Sequence, residues 1–188
     1  RTVLNGVIGT KQLLNEEYLK NAGVQLVKMI VRNQNRPSVA FWGVGNECYS
    51  FTPASRVALE FLWDTVRLFD AKRFVGYAAF TAPKITQRFE KSFGVFDFVC
   101  ANEYCGWYYG QTEDCAAFWR ALERKHHKPM LCTETGSDAR INAQGVDLPK
   151  RNANSEEYQA RLLARHIRLR DEVPSYCGTC VWALKDFY

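Results

Sequence analysis

Residues 37–47 of the chain are PSVAFWGVGNE, an apolar run that begins after Pro37 and ends abruptly on Asn46 and Glu47. A short continuous apolar run bounded by turn residues is typical of a strand buried on both faces, as the strands of parallel sheets are. Parallel α/β sheets carry their functional groups at the carboxyl ends of their strands. The run therefore predicts a buried strand with Asn46 and Glu47 at the functional edge of a sheet.

A second stretch has the same design. Residues 128–136 are KPMLCTETG, in which Pro129 precedes a short apolar run that leads to Glu134 and the turn residue Gly136. Carboxylates at the ends of two strands of one sheet would face each other. A glycosidase needs such a pair, because one protonated carboxyl gives its proton to the leaving oxygen while the other, ionised, attacks or stabilises the anomeric carbon. A single Glu in this position would as readily be a solvated loop residue, so the hypothesis depends on the pair.

The composition indicates a globular chain and narrows the choice of partners. The chain has 188 residues, of which 47% are hydrophobic and 14% aromatic, enough for one core. The net charge of +5 is modest and the basic residues are spread out, which argues against a nucleic-acid surface. No apolar segment approaches the length that spans a bilayer, and no secretory signal is visible. The chain begins at Arg1 rather than Met, and we expect a fragment of a longer multidomain protein.

The seven cysteines favour free thiols over a disulfide framework, because their number is odd and three lie in apolar runs typical of strands. Free buried thiols fit a reducing compartment and so favour the cytoplasm. Cys177 and Cys180 have the spacing of a redox or zinc pair, but a strand follows them and no second pair supplies further ligands. His126 and His127 lie beside lysines, as in a solvated basic helix end. We expect no cofactor and no catalytic metal.

The order of the predicted elements indicates a parallel sheet with helices outside it. The predicted helices cover residues 15–32, 55–70, 112–125 and 155–171, and the predicted strands cover residues 37–47, 74–80, 96–101, 130–134 and 178–184. Residues 1–14 and 136–154 are predicted loops, the second of them mobile over the strand ends. Five strands that begin with a helix fit the second half of a (β/α)8 TIM barrel better than a complete doubly wound domain.

Five motifs, in their order along the chain, resemble glycoside hydrolase family 2, the family of β-galactosidases, β-glucuronidases and β-mannosidases. They are RNQNRPSV at residues 32–39 with Trp42 and Asn46-Glu47, NEYCGWY at 102–108, TETG at 133–136, SEEYQ at 155–159 and VWALKDF at 181–187. The resemblance covers nearly the whole chain, and the motifs and their spacing are most like those of the β-glucuronidase branch. It implies a retaining exo-β-glycosidase of which the chain, residues 1–188, holds about the fourth to eighth barrel strands.

The resemblance also implies roles for individual residues. By position, Glu47 would be the general acid/base and Glu134 the nucleophile. Asn46 would bind the 2-hydroxyl of the sugar, and the Tyr104 hydroxyl would keep the nucleophile ionised and oriented. Trp182 would be an apolar floor for the sugar ring. The remaining residues expected to bind substrate are Asn102, Trp107 and Tyr108.

Several alternatives stay open. From the residues alone Glu103 rivals Glu47 as the acid, although the family carries varied residues at the position of Glu103. Any one of the aromatic residues Trp107, Tyr108 and Trp182 is as readily packed core as sugar platform. The competing function is a non-catalytic carbohydrate-binding or degenerate barrel that grips sugar without cleaving it.

Departures from the family pattern leave the sugar undecided. Thr135 stands where many relatives carry an aromatic residue and Ala183 where glucuronidases carry Asn, and the family's uronate-binding stretch would lie past Tyr188. Galactoside, glucuronide and mannoside substrates are therefore not separated, and the oligomeric state of the parent is open. A half barrel leaves strand edges unpaired, so we expect the isolated chain to be unstable, aggregated or self-paired, and inactive.

Overall fold

The structure, a computed structural model, describes residues 4–5, 12–140 and 155–185. These residues belong to two compact units, Arg1–Cys100 and Ala101–Tyr188, which are described in turn. Most of the loop predicted over residues 136–154 lies outside the described residues, as do residues 186 and 187 of the last motif. Among the described helices, none is long and apolar enough to cross a membrane.

The first unit alternates strands and helices. Its elements are β1 (Leu4–Asn5), α1 (Glu16–Asn33), β2 (Phe41–Asn46), α2 (Pro53–Phe69), β3 (Phe74–Phe80), α3 (Pro83–Phe89) and α4 (Ser92–Val95). β1 pairs in parallel with β2, and β2 pairs in parallel with β3. The strand β4 (Val99–Asn102) crosses the boundary between the two units.

The second unit continues the same alternation. A short 3-10 turn at Thr112–Asp114 leads into α5 (Cys115–His126), which is followed by β5 (Met130–Thr135), α6 (Glu156–Glu172) and β6 (Tyr176–Val181). β5 and β6 pair in parallel, and their register shifts twice along the ladder.

Local capping fixes where the long helices begin. The side chains of Asn15, Thr52 and Ser155 each accept a hydrogen bond from a backbone N–H three residues later, at the starts of α1, α2 and α6. Such caps satisfy donors that a helix leaves unpaired at its first turn. Pro53 at the first position of α2 lacks the N–H that would otherwise be orphaned there. The predicted helix starts at residues 15 and 155 are therefore confirmed to within a residue.

The core of the first unit lies between its strands and its long helices. Val44 of β2 and Val75 of β3 are completely buried, and so are Leu59 and Leu62 of α2. The prediction that β2 is buried on both faces is wrong at its first residue. Phe41 is 42% exposed, and its ring packs edge-on against the Phe98 ring at a centroid distance of 5.1 Å.

The predicted strands differ from the observed ones at several boundaries. β2 covers Phe41–Asn46 rather than residues 37–47, and three further differences each have a tertiary reason. The loop predicted over residues 1–14 contains β1, which the pairing with β2 creates. The strand predicted to begin at residue 96 begins at Val99, because the Asp97 carboxylate accepts the Val75 N–H at 2.6 Å and occupies the place of a ladder partner. The strand predicted at 178–184 covers Tyr176–Val181, since its ladder already begins with Met130 opposite Tyr176.

Candidate active site

The end of β2 carries the first sequence-predicted site residues. Asn46 is the last residue of the strand and Glu47 follows it, both of them half-buried. Glu47 has a φ of 49°, in the left-handed region that residues other than glycine rarely adopt. Its backbone N–H donates to the Ala78 carbonyl at 2.9 Å, which holds the strained residue against β3. Strained backbone of this kind concentrates at functional sites.

Buried polar groups that sequence reasoning missed hold the loop after Glu47. The Tyr77 hydroxyl donates to the Cys48 carbonyl at 3.0 Å, and the Ser50 hydroxyl donates to Glu90 Oε2 at 2.7 Å. Burial raises the pKa of Glu90, although hydrogen bonds from Ser50 and Ser92 oppose the shift. The loop that carries Glu47 is thus fixed at its base within the first unit.

In the second unit, Glu134 lies near the end of β5, and its side chain accepts a hydrogen bond. The Tyr104 hydroxyl donates to Glu134 Oε2 at 2.9 Å, the contact that the family resemblance implies for these two positions. A hydrogen bond to the charged form of a carboxylate favours that form. Two further bonds fix the strand around it. Thr133 Oγ1 donates to Asn102 Oδ1 at 2.7 Å, and the Glu103 N–H donates to the Glu134 carbonyl at 2.8 Å.

Tyr104, the partner of this carboxylate, forms a cluster with the rings of Trp107 and Tyr108. The ring centroids of Tyr104 lie 5.5 Å from Trp107 and 5.3 Å from Tyr108, and those of Trp107 and Tyr108 lie 4.1 Å apart. The Trp107 indole N–H donates to Asp138 Oδ1 at 2.7 Å. Tyr108 is exposed and the other two rings are half-buried. The cluster therefore presents aromatic surface to solvent, while its rings also pack on one another.

Trp182 follows β6 and is joined to the end of β5 through its backbone. Its N–H donates to the Thr135 carbonyl at 2.8 Å, and its side chain is half exposed. A Cβ atom at Gly136 would come within 2.7 Å of the Trp182 carbonyl oxygen. This close approach explains why glycine ends the TETG motif.

The SEEYQ motif at the start of α6 holds the loops that carry these groups. The Tyr158 hydroxyl donates to the Gly106 carbonyl, and the Gln159 amide donates to the Ser137 carbonyl. Gly106 has a φ of 88°, and a Cβ there would approach Leu162 Cδ1 to 2.5 Å. Sequence reasoning quoted this motif without assigning it a role, because its partners are far away in the chain.

Glu103, the rival acid of the sequence analysis, is completely buried. Its Oε1 accepts hydrogen bonds from the Cys105 N–H at 2.9 Å and from the Tyr109 hydroxyl. Burial raises its pKa, and the neighbouring His166 is the main opposing influence. A carboxyl group enclosed in this way is a part of the interior of the unit.

All seven cysteines are free thiols, as predicted. Five of them are buried, and burial raises the pKa of the Cys132 thiol well above its usual range. Cys177 and Cys180 are exposed, which the prediction of buried thiols did not foresee, and both lie on β6 itself. The part of the chain that the structure describes holds no group of three His, Cys, Asp or Glu side chains suited to a metal ion.

Comparison with known proteins identifies the family. The model of the glycosyl hydrolases family 2 TIM barrel domain matches residues 7–188. The chain belongs to glycosyl hydrolase family 2. The resemblance found in the sequence and the predicted fold class, a partial (β/α)8 TIM barrel, are both confirmed.

Several of the similar proteins are named β-glucuronidases, and a solved structure with a TM-score of 0.78 is a GH2 β-galacturonidase from Eisenbergiella tayi, 24% identical over 95% of this chain and 31% of its own. A β-glucuronidase of Paenibacillus borealis is 32% identical over 192 residues, which cover 97% of this chain and 30% of that protein. The solved structure of an uncultured Clostridium sp. β-glucuronidase has a TM-score of 0.78 and 29% identity over 92% of this chain and 30% of its own. A Ruminococcus gnavus β-glucuronidase in complex with uronic deoxynojirimycin has a TM-score of 0.79 and 26% identity, covering 96% of this chain and 32% of its own. The chain spans less than a third of the length of each.

Proposed function

We propose that this chain is part of the catalytic barrel of a longer retaining exo-β-glycosidase, and that β-glucuronides are its substrates. The observation that carries the proposal is the hydrogen bond from the Tyr104 hydroxyl to Glu134 at the end of β5, in a family 2 chain. The choice of glucuronide is supported by the similarity to the Paenibacillus borealis and Ruminococcus gnavus β-glucuronidases.

The proposed reaction proceeds by double displacement. Glu134 attacks the anomeric carbon and forms a glycosyl-enzyme, while Glu47 gives its proton to the departing glycosidic oxygen. Glu47 then takes a proton from water, which attacks the same carbon and releases the sugar and Glu134. The Tyr104 hydroxyl stabilises the ionised form of Glu134 that the attack requires. In a crystal structure of the full-length protein, we expect the two carboxyl groups to lie about 5 to 5.5 Å apart.

Of the remaining predicted residues, four would hold the sugar and the buried Asn102 would support the strand beside it. Asn46, one residue before Glu47, would bind the 2-hydroxyl, a contact that strengthens as the transition state forms. Asn102 would stiffen the end of β5 through Thr133, to whose hydroxyl it is bonded. Trp107, Tyr108 and Trp182 would offer aromatic surface to the ring, and the exposure of Tyr108 and Trp182 supports this role.

The test compares turnover of 4-nitrophenyl β-glucuronide, β-galactoside and β-mannoside by the full-length protein. We expect the glucuronide to be preferred, and Glu134→Ala to lower kcat by about 10⁴-fold or more. The control is Glu60→Ala, which removes an exposed carboxylate of α2 that pairs with Arg56. Unchanged turnover in Glu134→Ala would refute the assignment, and glycan binding without turnover in the unmodified protein would favour the carbohydrate-binding alternative.

Added azide distinguishes the proposed roles of the two carboxylates. In Glu47→Ala the glycosyl-enzyme still forms with a good leaving group, so added azide should restore turnover and give the β-glycosyl azide. In Glu134→Ala azide can only take the place of the missing nucleophile, so the product should be the α-glycosyl azide. The opposite pair of products would show that Glu47 is the nucleophile and Glu134 the acid/base.

A further inference from the structure

A buried polar cluster that the proposed mechanism does not use lies next to Glu134. Glu103, Thr135 and His166 are all completely buried, and Thr135 directly follows Glu134 in β5. Burying a polar group costs free energy unless the group is paired, so each of these side chains is expected to have a partner. The three side chains contact one another in series, from Glu103 to His166 to Thr135.

The first contact is between the carboxylate of Glu103 and the ring of His166. Oε1 of Glu103 is satisfied by the Cys105 N–H and by the hydroxyl of Tyr109, whose pKa burial raises so that it keeps its proton. Oε2 of Glu103 and Nδ1 of His166 face each other at 3.7 Å, within ion-pair range but longer than a hydrogen bond, and the Trp119 side chain is a further neighbour that opposes the rise in the pKa of Glu103.

The second contact is made by Nε2 of the His166 ring. Nε2 of His166 lies 3.1 Å from the Cys105 carbonyl oxygen and 3.3 Å from Thr135 Oγ1. Because a carbonyl oxygen can only accept, Nε2 carries a proton and donates it. The other ring nitrogen, Nδ1, faces the buried Glu103 carboxylate, so the ring lies between that carboxylate and β5.

Through Thr135, the contacts of His166 reach the strand β5, which carries Glu134. The ladder between β5 and β6 shifts register between the pair Cys132 and Thr179 and the pair Thr135 and Val181, so β5 has one extra residue there. Such a bulge changes the direction of the side chains on it and is common next to active sites. The extra residue falls in the segment that includes Glu134, and His166 binds the first residue after it.

We propose that Glu103 and His166 are positioning residues for Glu134. Their effect has two routes, because the Glu103 N–H binds the Glu134 carbonyl at 2.8 Å and His166 binds the Thr135 hydroxyl. Tyr104 directly follows Glu103, so the same pair sets where the Tyr104 hydroxyl lies relative to the Glu134 carboxylate. The consequence for turnover rests on the proposed glycosidase function, whereas the geometric consequence does not.

The decisive variants are Thr135→Val and Thr135→Ser in the full-length protein. Valine keeps the shape of threonine and removes the hydroxyl that His166 binds, while serine keeps the hydroxyl. We expect Thr135→Val to lower kcat per active site by about tenfold to 100-fold with little change in KM, and Thr135→Ser to recover most of the loss. Active sites are counted with a 2-deoxy-2-fluoro-β-glycoside, which traps the glycosyl-enzyme.

Two further variants complete the test. Glu103→Gln should lower kcat per trapped site in the same way as Thr135→Val. Thr65→Val is the matched control, because it makes the same chemical change in α2, where the Thr65 hydroxyl donates to the Phe61 carbonyl at 2.7 Å, and should leave kcat unchanged. If Thr135→Val and Glu103→Gln lower only the melting temperature and leave kcat per trapped site unchanged, the pair merely packs the interior and the proposal is overturned.

A structural measurement keeps the two proposals apart. If the unmodified protein neither turns over nor is trapped, the proposed function fails, and crystal structures of the full-length protein and of Thr135→Val decide the positioning role. The distance from the Tyr104 hydroxyl to Glu134 Oε2, 2.9 Å in this structure, should lengthen beyond hydrogen-bond range in the variant. Retention of that hydrogen bond would overturn the positioning role.

Discussion

At Glu134, the hydroxyl of Tyr104 is the contact with the clearest chemical consequence. A carboxylate that acts as a nucleophile must be ionised and must point at the anomeric carbon, and one directional donor serves both needs. The bond joins residues 30 positions apart in the chain. Its length of 2.9 Å lies within the ordinary range of hydrogen bonds.

Removal of that hydroxyl should slow the reaction. We expect Tyr104→Phe in the full-length protein to lower kcat by about tenfold to 100-fold, because a hydrogen bond to a charged group contributes about 1.5 to 3 kcal/mol. The measurement is kcat on an aryl β-glucuronide. Tyr18→Phe, on the exposed face of α1, makes the same change away from the site and serves as the control. Equal rates for the two variants would show that the Tyr104 hydroxyl has no catalytic consequence.

Glu90 should make the stability of the protein depend on pH. Its pKa is raised above the ordinary value of 4.5 in the folded protein, chiefly by burial. The folded state therefore holds this proton more tightly than the unfolded state, and stability falls as the pH rises from 4.5 through the folded pKa. Glu90→Gln removes this dependence, and the Ser50 hydroxyl can turn to accept from the new amide.

The pH dependence is measured as melting temperature. From about pH 5 to about pH 8, the difference in melting temperature between Glu90→Gln and the unmodified protein should grow in favour of the variant. Glu60→Gln, an exposed carboxylate of α2, should show a constant difference. Parallel curves for Glu90→Gln would contradict the raised pKa.

At the scale of elements, α6 organises the second unit. Its first turn binds the loop after β4 through Tyr158 and the loop after β5 through Gln159, and its last turns place His166 and Leu169 in the interior. One helix thus fixes two loops that carry aromatic and polar groups. This arrangement gives a structural role to the SEEYQ motif, to which the sequence alone assigned none.

The tight contact between α6 and the loop after β4 predicts an intolerant glycine. Gly106→Ala should lower the free energy of unfolding by about 1 to 3 kcal/mol for the left-handed backbone, with a further cost for the contact of the new Cβ with Leu162. Gly43→Ala in β2 is the matched control, because a Cβ there would meet nothing within 4 Å. Thermal and denaturant unfolding of the full-length protein measure both. A Gly106→Ala variant as stable as Gly43→Ala would contradict the packing described here.

At the scale of the whole molecule, large apolar side chains remain at the surface of the first unit. Phe41 at the start of β2 is 42% exposed and Phe74 at the start of β3 is 64% exposed. Exposed apolar side chains favour self-association. The chain covers only 30% of its Paenibacillus borealis relative, so further segments of a longer protein are the occupants that we propose for this surface.

That proposal predicts different behaviour of the isolated chain and the full-length protein. Expressed alone, residues 1–188 should aggregate or bind a hydrophobic dye strongly and show no turnover, whereas the full-length protein should be monodisperse, bind little dye and turn over. Phe41→Ser together with Phe74→Ser should reduce dye binding by the isolated chain. Size-exclusion chromatography and dye fluorescence provide the readouts. A monodisperse isolated chain with turnover would contradict the expectation.

The sequence by itself determined the features that depend on near neighbours in the chain. Asn15 and Ser155 cap helices through bonds to residues three positions away, and the apolar run at Phe74–Phe80 forms a strand at the predicted positions. The family motifs identified the fold class and chose Glu47 and Glu134 as candidates. The caps and the strand could be predicted because capping and apolar periodicity act over a few residues.

Only the tertiary structure decided what joins distant segments. His166 binds the Cys105 carbonyl 61 residues away, Tyr158 binds the Gly106 carbonyl 52 residues away, and β4 begins late because Asp97 bonds to β3. No local pattern marks Glu103 as a buried partner of a histidine, since a glutamate after an asparagine has the same letters in a solvated loop. The physical reason is that burial and long-range hydrogen bonds, which give these side chains their roles, arise only when the strands and helices are packed together.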